Sequence, residues 1–280
     1  MIVHSLRAQA TLAVAALSVA MSFGKALAAD WPSQVIAQYD VAFAGFRIGS
    51  FNFRSDVGGK TYSLAGEAKV SAVFGAFKWR GFTRSSGHAV QNGPLPQNYA
   101  FDFQSNSKRG SVRMAFQKKR IIKAEVIPNK PYSNQHVPLL AEHLRNVVDP
   151  ISAVMALTKV RPGKHPCRRR IPIFDGKQRF DLVLSPAGRE QIRERRPSGQ
   201  PDMAFVCRVN YVPLGGFKKN QQTEYMAANN NMRVVLRAVP SANIYIPYEV
   251  RVPTIAGEAV LSSRRVNIVT AQRRRIALVH

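Results

Sequence analysis

Apolar and polar residues alternate with a period of two along most of the chain. Val35, Ala37, Tyr39, Val41 and Phe43 share one face, Ala44-Gly45 permits a turn, and Ile48–Arg54 returns with Phe51 and Phe53 in alternation. Asp56–Gly59 turns next. Tyr62, Leu64, Gly66, Ala68 and Val70 alternate again, and Phe77, Trp79, Gly81 and Thr83 continue beyond a break at Gly75. After the punctuation of Asn92-Gly93-Pro94, Tyr99, Phe101 and Phe103 are answered by Val112, Met114 and Phe116 across residues 106–110. Short alternating runs with turn signals at this spacing predict a mainly β protein. The sheet is antiparallel and curled, or closes into an open β-barrel or a sandwich.

One segment departs from that period. Over 139–158 the apolar residues Leu139, Leu140, Leu144, Val147, Val148, Ile151, Val154, Met155 and Leu157 recur at offsets of three and four. This predicts one helix covering the apolar face of the sheet, or two pieces joined at Asp149-Pro150. Asp149 suits the N-cap of the second piece and Pro150 its first turn. Strands then resume. Asp175-Gly176 reads as a two-residue hairpin between Ile171/Ile173 and Phe180/Leu182/Leu184. The polar stretch 185–203 reads as an exposed excursion. Phe205, Cys207, Val209 and Tyr211 alternate, and further strands are expected at 231–239, 244–252 and 258–270. No linker divides the chain, so 29–270 reads as one domain, with 271–280 a basic tail prone to fray.

Residues 1–28 read as a cleaved signal peptide. Arg7 precedes the uncharged run Ala8–Phe23, and Ala26-Leu27-Ala28 places small residues where a signal peptidase cleaves. The alternative, a membrane anchor, needs an apolar run of about 20 residues. No later segment predicts a spanning helix. The expected location is the periplasm, if the source is Gram-negative. That location changes the meaning of a +25 formal charge. An exported protein rarely meets nucleic acid, so the expected partners are anionic lipid, lipopolysaccharide or another envelope protein, with simple solubility as the bland reading.

Cys167 shares strand parity with Ile171 and Ile173, and Cys207 with Phe205, Val209 and Tyr211, so both point to the apolar face. In an oxidising compartment the two are expected to pair. A simple meander would place a strand between them, so Cys167 must lie at a strand end or the outer strands must pair directly. Two arginine clusters, Arg168, Arg169 and Arg170, and Arg189, Arg193, Arg195 and Arg196, are a candidate rim for an anionic ligand; solvated charge is the alternative. Phe77, Trp79, Phe82, Tyr99, Phe101 and Phe103, with Phe74 beside them, are a candidate apolar cavity. Filling of a solid core is the alternative.

The stretch from Tyr39 to Phe51 (YDVAFAGFRIGSF) resembles the first hairpin of the DUF3108 family of exported bacterial proteins. Val148–Leu157 (VDPISAVMAL) is similar to that family's helix, and Ile171–Leu182 (IPIFDGKQRFDL) to its later hairpin. The resemblance implies a periplasmic β-rich fold akin to curled lipoprotein- or lipid-carrier sheets, and implies no catalytic residue.

The residues themselves offer little chemistry. There is no G-x-S-x-G elbow and no Gly-rich phosphate loop with a Lys, and the histidines make neither H-x-x-H nor H-E-x-x-H. Asp149, Asp175, Asp181, Glu224 and Glu249 have cap, turn or ion-pair roles open to them. No metal site, cofactor or catalytic residue is expected. The leading expectation is a non-catalytic envelope protein that binds a lipid or other anionic amphiphile. A solid-cored structural or partner-binding protein is the alternative, and a hydrolase a more distant one.

Overall fold

The structure, a computed structural model, describes residues 31–72, 75–91, 93–129, 131–159 and 163–280. The signal-peptide expectation for 1–28 and the side chain of Phe74 lie outside them. Fourteen strands among the described residues form one antiparallel sheet: β1 (Gln34–Phe43), β2 (Phe46–Gly58), β3 (Thr61–Ala72), β4 (Phe77–Val90), β5 (Gly93–Ser105), β6 (Arg109–Gln117), β7 (Arg120–Ile127), β8 (Arg169–Phe174), β9 (Arg179–Gln191), β10 (Met203–Gly215), β11 (Arg233–Val239), β12 (Ile244–Thr254), β13 (Gly257–Val269) and β14 (Arg275–Val279). The spatial order is β7-β6-β5-β4-β3-β2-β1-β13-β12-β11-β10-β9-β8, with β14 against β13. The sheet is barrel-like but does not close, because β7 and β8 each lack a neighbour on one side.

The two sheet ends approach each other through loops. At Gly176, in the β8–β9 turn, an added Cβ would stand against Val112 of β6. The helix α1 (Pro150–Thr158) lies inside the curl, touching β3, β4, β5, β8 and β12. Ile151 and Met155 join a core shared by β1–β7 and by parts of β11–β14, and Ala153, with Val148 just before the helix, joins a second core built mainly from β8–β11. The helix is shorter than the expected 139–158. Asp149 caps it as expected, its Oδ1 accepting from the Ser152 amide at 2.8 Å, with Pro150 in the first turn. Upstream only Ala141–Leu144 forms a 3-10 turn, and none of its residues is buried. Leu139 and Leu144 pack on the core only partly buried and Leu140 is exposed, so the 3.6-residue period there does not build a helix.

Four other expectations change. The last residues do not fray: β14 pairs Val266 with Leu278 and Ile268 with Ile276, and Leu278 is fully buried. The Asp175-Gly176 turn spans four residues, with Asp175 Oδ1 accepting from the amides of Lys177 and Gln178. The stretch 185–203 is not a free excursion, because β9 continues to Gln191 and Ile192 is buried. Strand β7 and the helix α2 (Gln221–Ala228), which packs on β10 and β12, add to the expected elements.

Candidate functional site

Register fixes what faces the interior. In β1 to β7 the inward residues stand in rows across the sheet: Ala37, Phe53, Gly66, Thr83, Phe101, Val112 and Val126 in one, and Tyr39, Phe51, Ala68, Gly81, Phe103 and Gly110 in the next. Small residues in β3 and β4 lie between aromatics in β2 and β5, which makes a trough. Helix α1 fills only part of it. Ile151 reaches down to Gly66, where a Cβ would meet the Ile151, Thr83 and Phe51 side chains within about 3 Å. Beyond the helix Phe51, Phe101, Phe103 and Val126 are only half-buried.

The uncovered part is a cleft of about 980 Å³, at the upper end of the ordinary range for small-molecule sites. Its wall is Phe51, Tyr99, Phe101, Phe103, Val112, Val126, Ile151 and Val154, and Lys108, Arg109 and Lys177 stand at its mouth. The cations come from two hairpin tips, β5–β6 and β8–β9, at the same end of the sheet. We call this end the rim and the opposite end the base. Asp175 also borders the cleft, but its carboxylate is held by two turn amides, and burial pushes its pKa up.

Of the six aromatics expected to line a cavity, Tyr99, Phe101 and Phe103 do so. Trp79 adjoins them, its ring centroid 6.5 Å from that of Phe101, and Phe77 sits 46% exposed at the start of β4. Phe82 has the opposite parity and points to the outer face, where the Arg84 guanidinium lies 4.4 Å from its ring. Phe82 therefore belongs to a solvated surface and not to a cavity.

The two arginine clusters lie at the base, away from the cleft mouth. Arg169 donates to the carbonyls of Ala156 (2.5 Å) and Leu157 (3.0 Å), closing the C-terminus of α1, and Arg170 pairs with buried Asp181 at 2.8 Å. Arg189 lies over the Phe205 ring, and the backbone of Arg195 and Arg196 pairs with Val279. Arg168 and Arg193 are exposed. None of the seven borders the cleft.

Cys167 and Cys207 form the expected disulfide with Cα atoms 5.1 Å apart, and both are fully buried. Cys167 lies just before β8, so the chain leaves the sheet there and crosses β9 to reach β10. The spacing is one strand interval, not two, which is how the bridge avoids the intervening strand.

Two buried polar clusters were not anticipated. Asp149 is fully buried and accepts from Ser85 Oγ at 2.9 Å, while Ser152 Oγ shares hydrogen bonds with Ser85 and the Tyr62 hydroxyl. Burial pushes Asp149 up to about 6. The knot pins α1 to β3 and β4. At the base, fully buried Arg237 donates to Glu194, Ser198, the Pro201 carbonyl and His280 Nε2. Burial first, then the Arg237 charge, lowers His280 to about 4. Among the described residues no group of three His, Cys, Asp or Glu is placed to hold a metal, and no helix is long and apolar enough to cross a membrane.

Among solved structures the chain is similar to a β-barrel-like protein of domain of unknown function DUF1849 from Brucella abortus. Identity is 9%, the TM-score 0.48, and the match covers 86% of this chain and 99% of that one. No curated protein matches. The model of the family described as protein of unknown function (DUF3108) matches residues 38–259, and no catalytic family is indicated. That match runs from the middle of β1 to the first residues of β13 and takes in the helix α1 and the cleft, and the chain belongs to the DUF3108 family.

Proposed function

We propose that this protein binds an anionic amphiphile in the cell envelope, with the acyl chain in the cleft and the headgroup at Lys108, Arg109 and Lys177. The observation that carries the reading is the cleft itself: an apolar wall that α1 leaves uncovered, with cations gathered only at its mouth. Apolar burial at about 25 cal/mol per Å² supplies affinity, and the cations select the charge of the head. Export to the periplasm through residues 1–28 belongs to the same proposal. It draws support from Arg7, the run Ala8–Phe23 and Ala26-Leu27-Ala28, and from a disulfide suited to an oxidising compartment. The solid-core alternative fits the part of the trough that α1 fills and leaves the open part without a role.

Titration of delipidated protein with cis-parinaric acid, a fluorescent fatty acid, tests the reading. Saturable binding is expected. The triple variant K108E/R109E/K177E, and separately Val126→Trp in the cleft wall, should each weaken it about tenfold or more. Absence of saturable binding, or unchanged affinity in both variants, would overturn the proposal.

A further inference from the structure

Five of the eight exposed large hydrophobic side chains among the described residues stand at the rim: Phe46 (76% exposed), Ile127 (65%), Tyr132 (53%), Ile255 (51%) and Phe77 (46%). They come from separate parts of the sequence, and register alone brings them to one end of the sheet.

The loops that carry them are tied into one edge. The β1–β2 and β12–β13 tips touch, with the Ala44 amide donating to the Glu258 carbonyl at 2.9 Å. Asn106, in the β5–β6 tip, accepts from the Lys78 amide at 2.7 Å and donates to the Ala76 carbonyl at 2.5 Å. The Tyr132 hydroxyl donates to the Lys177 carbonyl at 2.9 Å, joining the segment after β7 to the β8–β9 turn.

Apolar tips on the edge around a cleft mouth cost solubility and do not improve packing. Cations accompany them. Lys108, Arg109 and Lys177 flank the mouth, and a shallow basin on the outer face below the tips is lined by Arg47, Lys69, Lys78 and Arg80, of which Arg47 pairs with Asp40 and Lys69 and Arg80 share Glu67, leaving the basin a net excess of positive charge. Side chains that insert apolar groups at an interface, ringed by Lys and Arg that meet lipid phosphates, are the chemistry of a peripheral membrane contact.

We infer that the rim docks on the surface of an anionic bilayer, presenting the cleft mouth to the lipid. This rests on the amphiphile-binding reading, since the docked face would let a ligand pass between membrane and cleft without crossing water. Phe46 and Ile255 are the inserting pair, and the rim cations supply charge complementarity.

Flotation of the purified protein with vesicles tests it. One set is phosphatidylcholine with a third phosphatidylglycerol, the other phosphatidylcholine alone. Binding is expected to the first set, weakening with salt. Phe46→Ser with Ile255→Ser should reduce vesicle affinity about tenfold or more, as losing two partly inserted apolar side chains implies. Met203→Ser and the pair R193E/R196E, at the base, should change it less than about twofold. Circular dichroism and thermal midpoints confirm that each variant is folded. Equal loss from tip and base variants would mean that diffuse net charge does the binding, and would overturn the inference. Absence of binding to either vesicle set would overturn it too, while leaving parinaric acid binding intact. Failure of parinaric acid binding with rim-dependent flotation retained would instead overturn the amphiphile reading alone.

Discussion

Arg237 at the base is fully buried among Glu194, Ser198 and His280, whereas Lys108, Arg109 and Lys177 at the rim border an open cleft. The same contrast holds for apolar groups. At the base Ile192, Ala204, Leu278 and the Cys167–Cys207 bridge are sealed inside, while at the rim Phe46, Ile127 and Ile255 face solvent. One end thus uses charge and apolar area to hold the fold. The other keeps Lys108, Arg109, Lys177 and these apolar side chains at the surface and around the cleft, where they can meet something else. A positive net charge says nothing of this division; the partners of each cation do.

The division can be broken most strongly at Arg237. Arg237→Met leaves Glu194 without its buried partner and should cost about 3–5 kcal/mol, read by chemical denaturation. His280 should then titrate closer to its ordinary 6.5, because the second of the two causes holding it near 4 is gone. An NMR titration of the His280 ring checks this. Next in size, Cys167→Ser with Cys207→Ser should lower stability by about 2–5 kcal/mol, and parinaric acid affinity of the folded protein should stay unchanged.

Asp149 sits between the two ends, and its effect depends on pH. Asp149→Ala removes a helix cap and one of the two hydrogen-bond partners of Ser85 Oγ, so a loss of about 1–3 kcal/mol is expected. Asp149→Asn keeps an acceptor but cannot ionise. Because burial raises the folded pKa to about 6, above the ordinary 3.8, the stabilising contribution of the protonated carboxyl is full below pH 3.8. It is lost as pH rises through about 6. Wild type should therefore lose stability relative to Asp149→Asn between about pH 4 and 7. The smallest effect belongs to the rim: Phe46→Ser with Ile255→Ser should leave unfolding stability within about 0.5 kcal/mol of wild type.

Much of the fold is written locally in the chain. Alternation from Val35 to Phe116 marks β1 to β6, Asp149-Pro150 marks the start of α1, and the parity of Cys167 and Cys207 places both in one core. Strand β7 is harder to read because Ile122 and Ile127 are exposed on an edge, which blurs its alternation. Arg237 looks like a surface cation within Val234-Val235-Leu236-Arg237; only the distant 192–202 segment and His280 reveal that it is buried. The candidate site was legible in part. Phe101 and Phe103 alternate visibly, but the absence of bulk at Gly66, Ala68 and Gly81 makes the trough only after β2 to β5 are set in register. The rim cations were invisible for the same reason. Arg168–Arg170 and Arg189–Arg196 form conspicuous runs, whereas the pair Lys108-Arg109 and the single Lys177 lie far apart in the chain and meet only through two hairpins of the folded sheet.

The two tryptophans of the sequence report on the two ends. Trp79 adjoins Phe101 beside the cleft, and Trp31 is buried at the base, its Nε1 donating to the Val90 carbonyl at 3.2 Å. Quenching of their fluorescence by a dibrominated stearate, measured separately in Trp31→Phe and Trp79→Phe proteins, therefore locates a bound acyl chain directly. The account predicts saturable quenching of Trp79 and little of Trp31. No quenching of Trp79, or equal quenching of both, would contradict it.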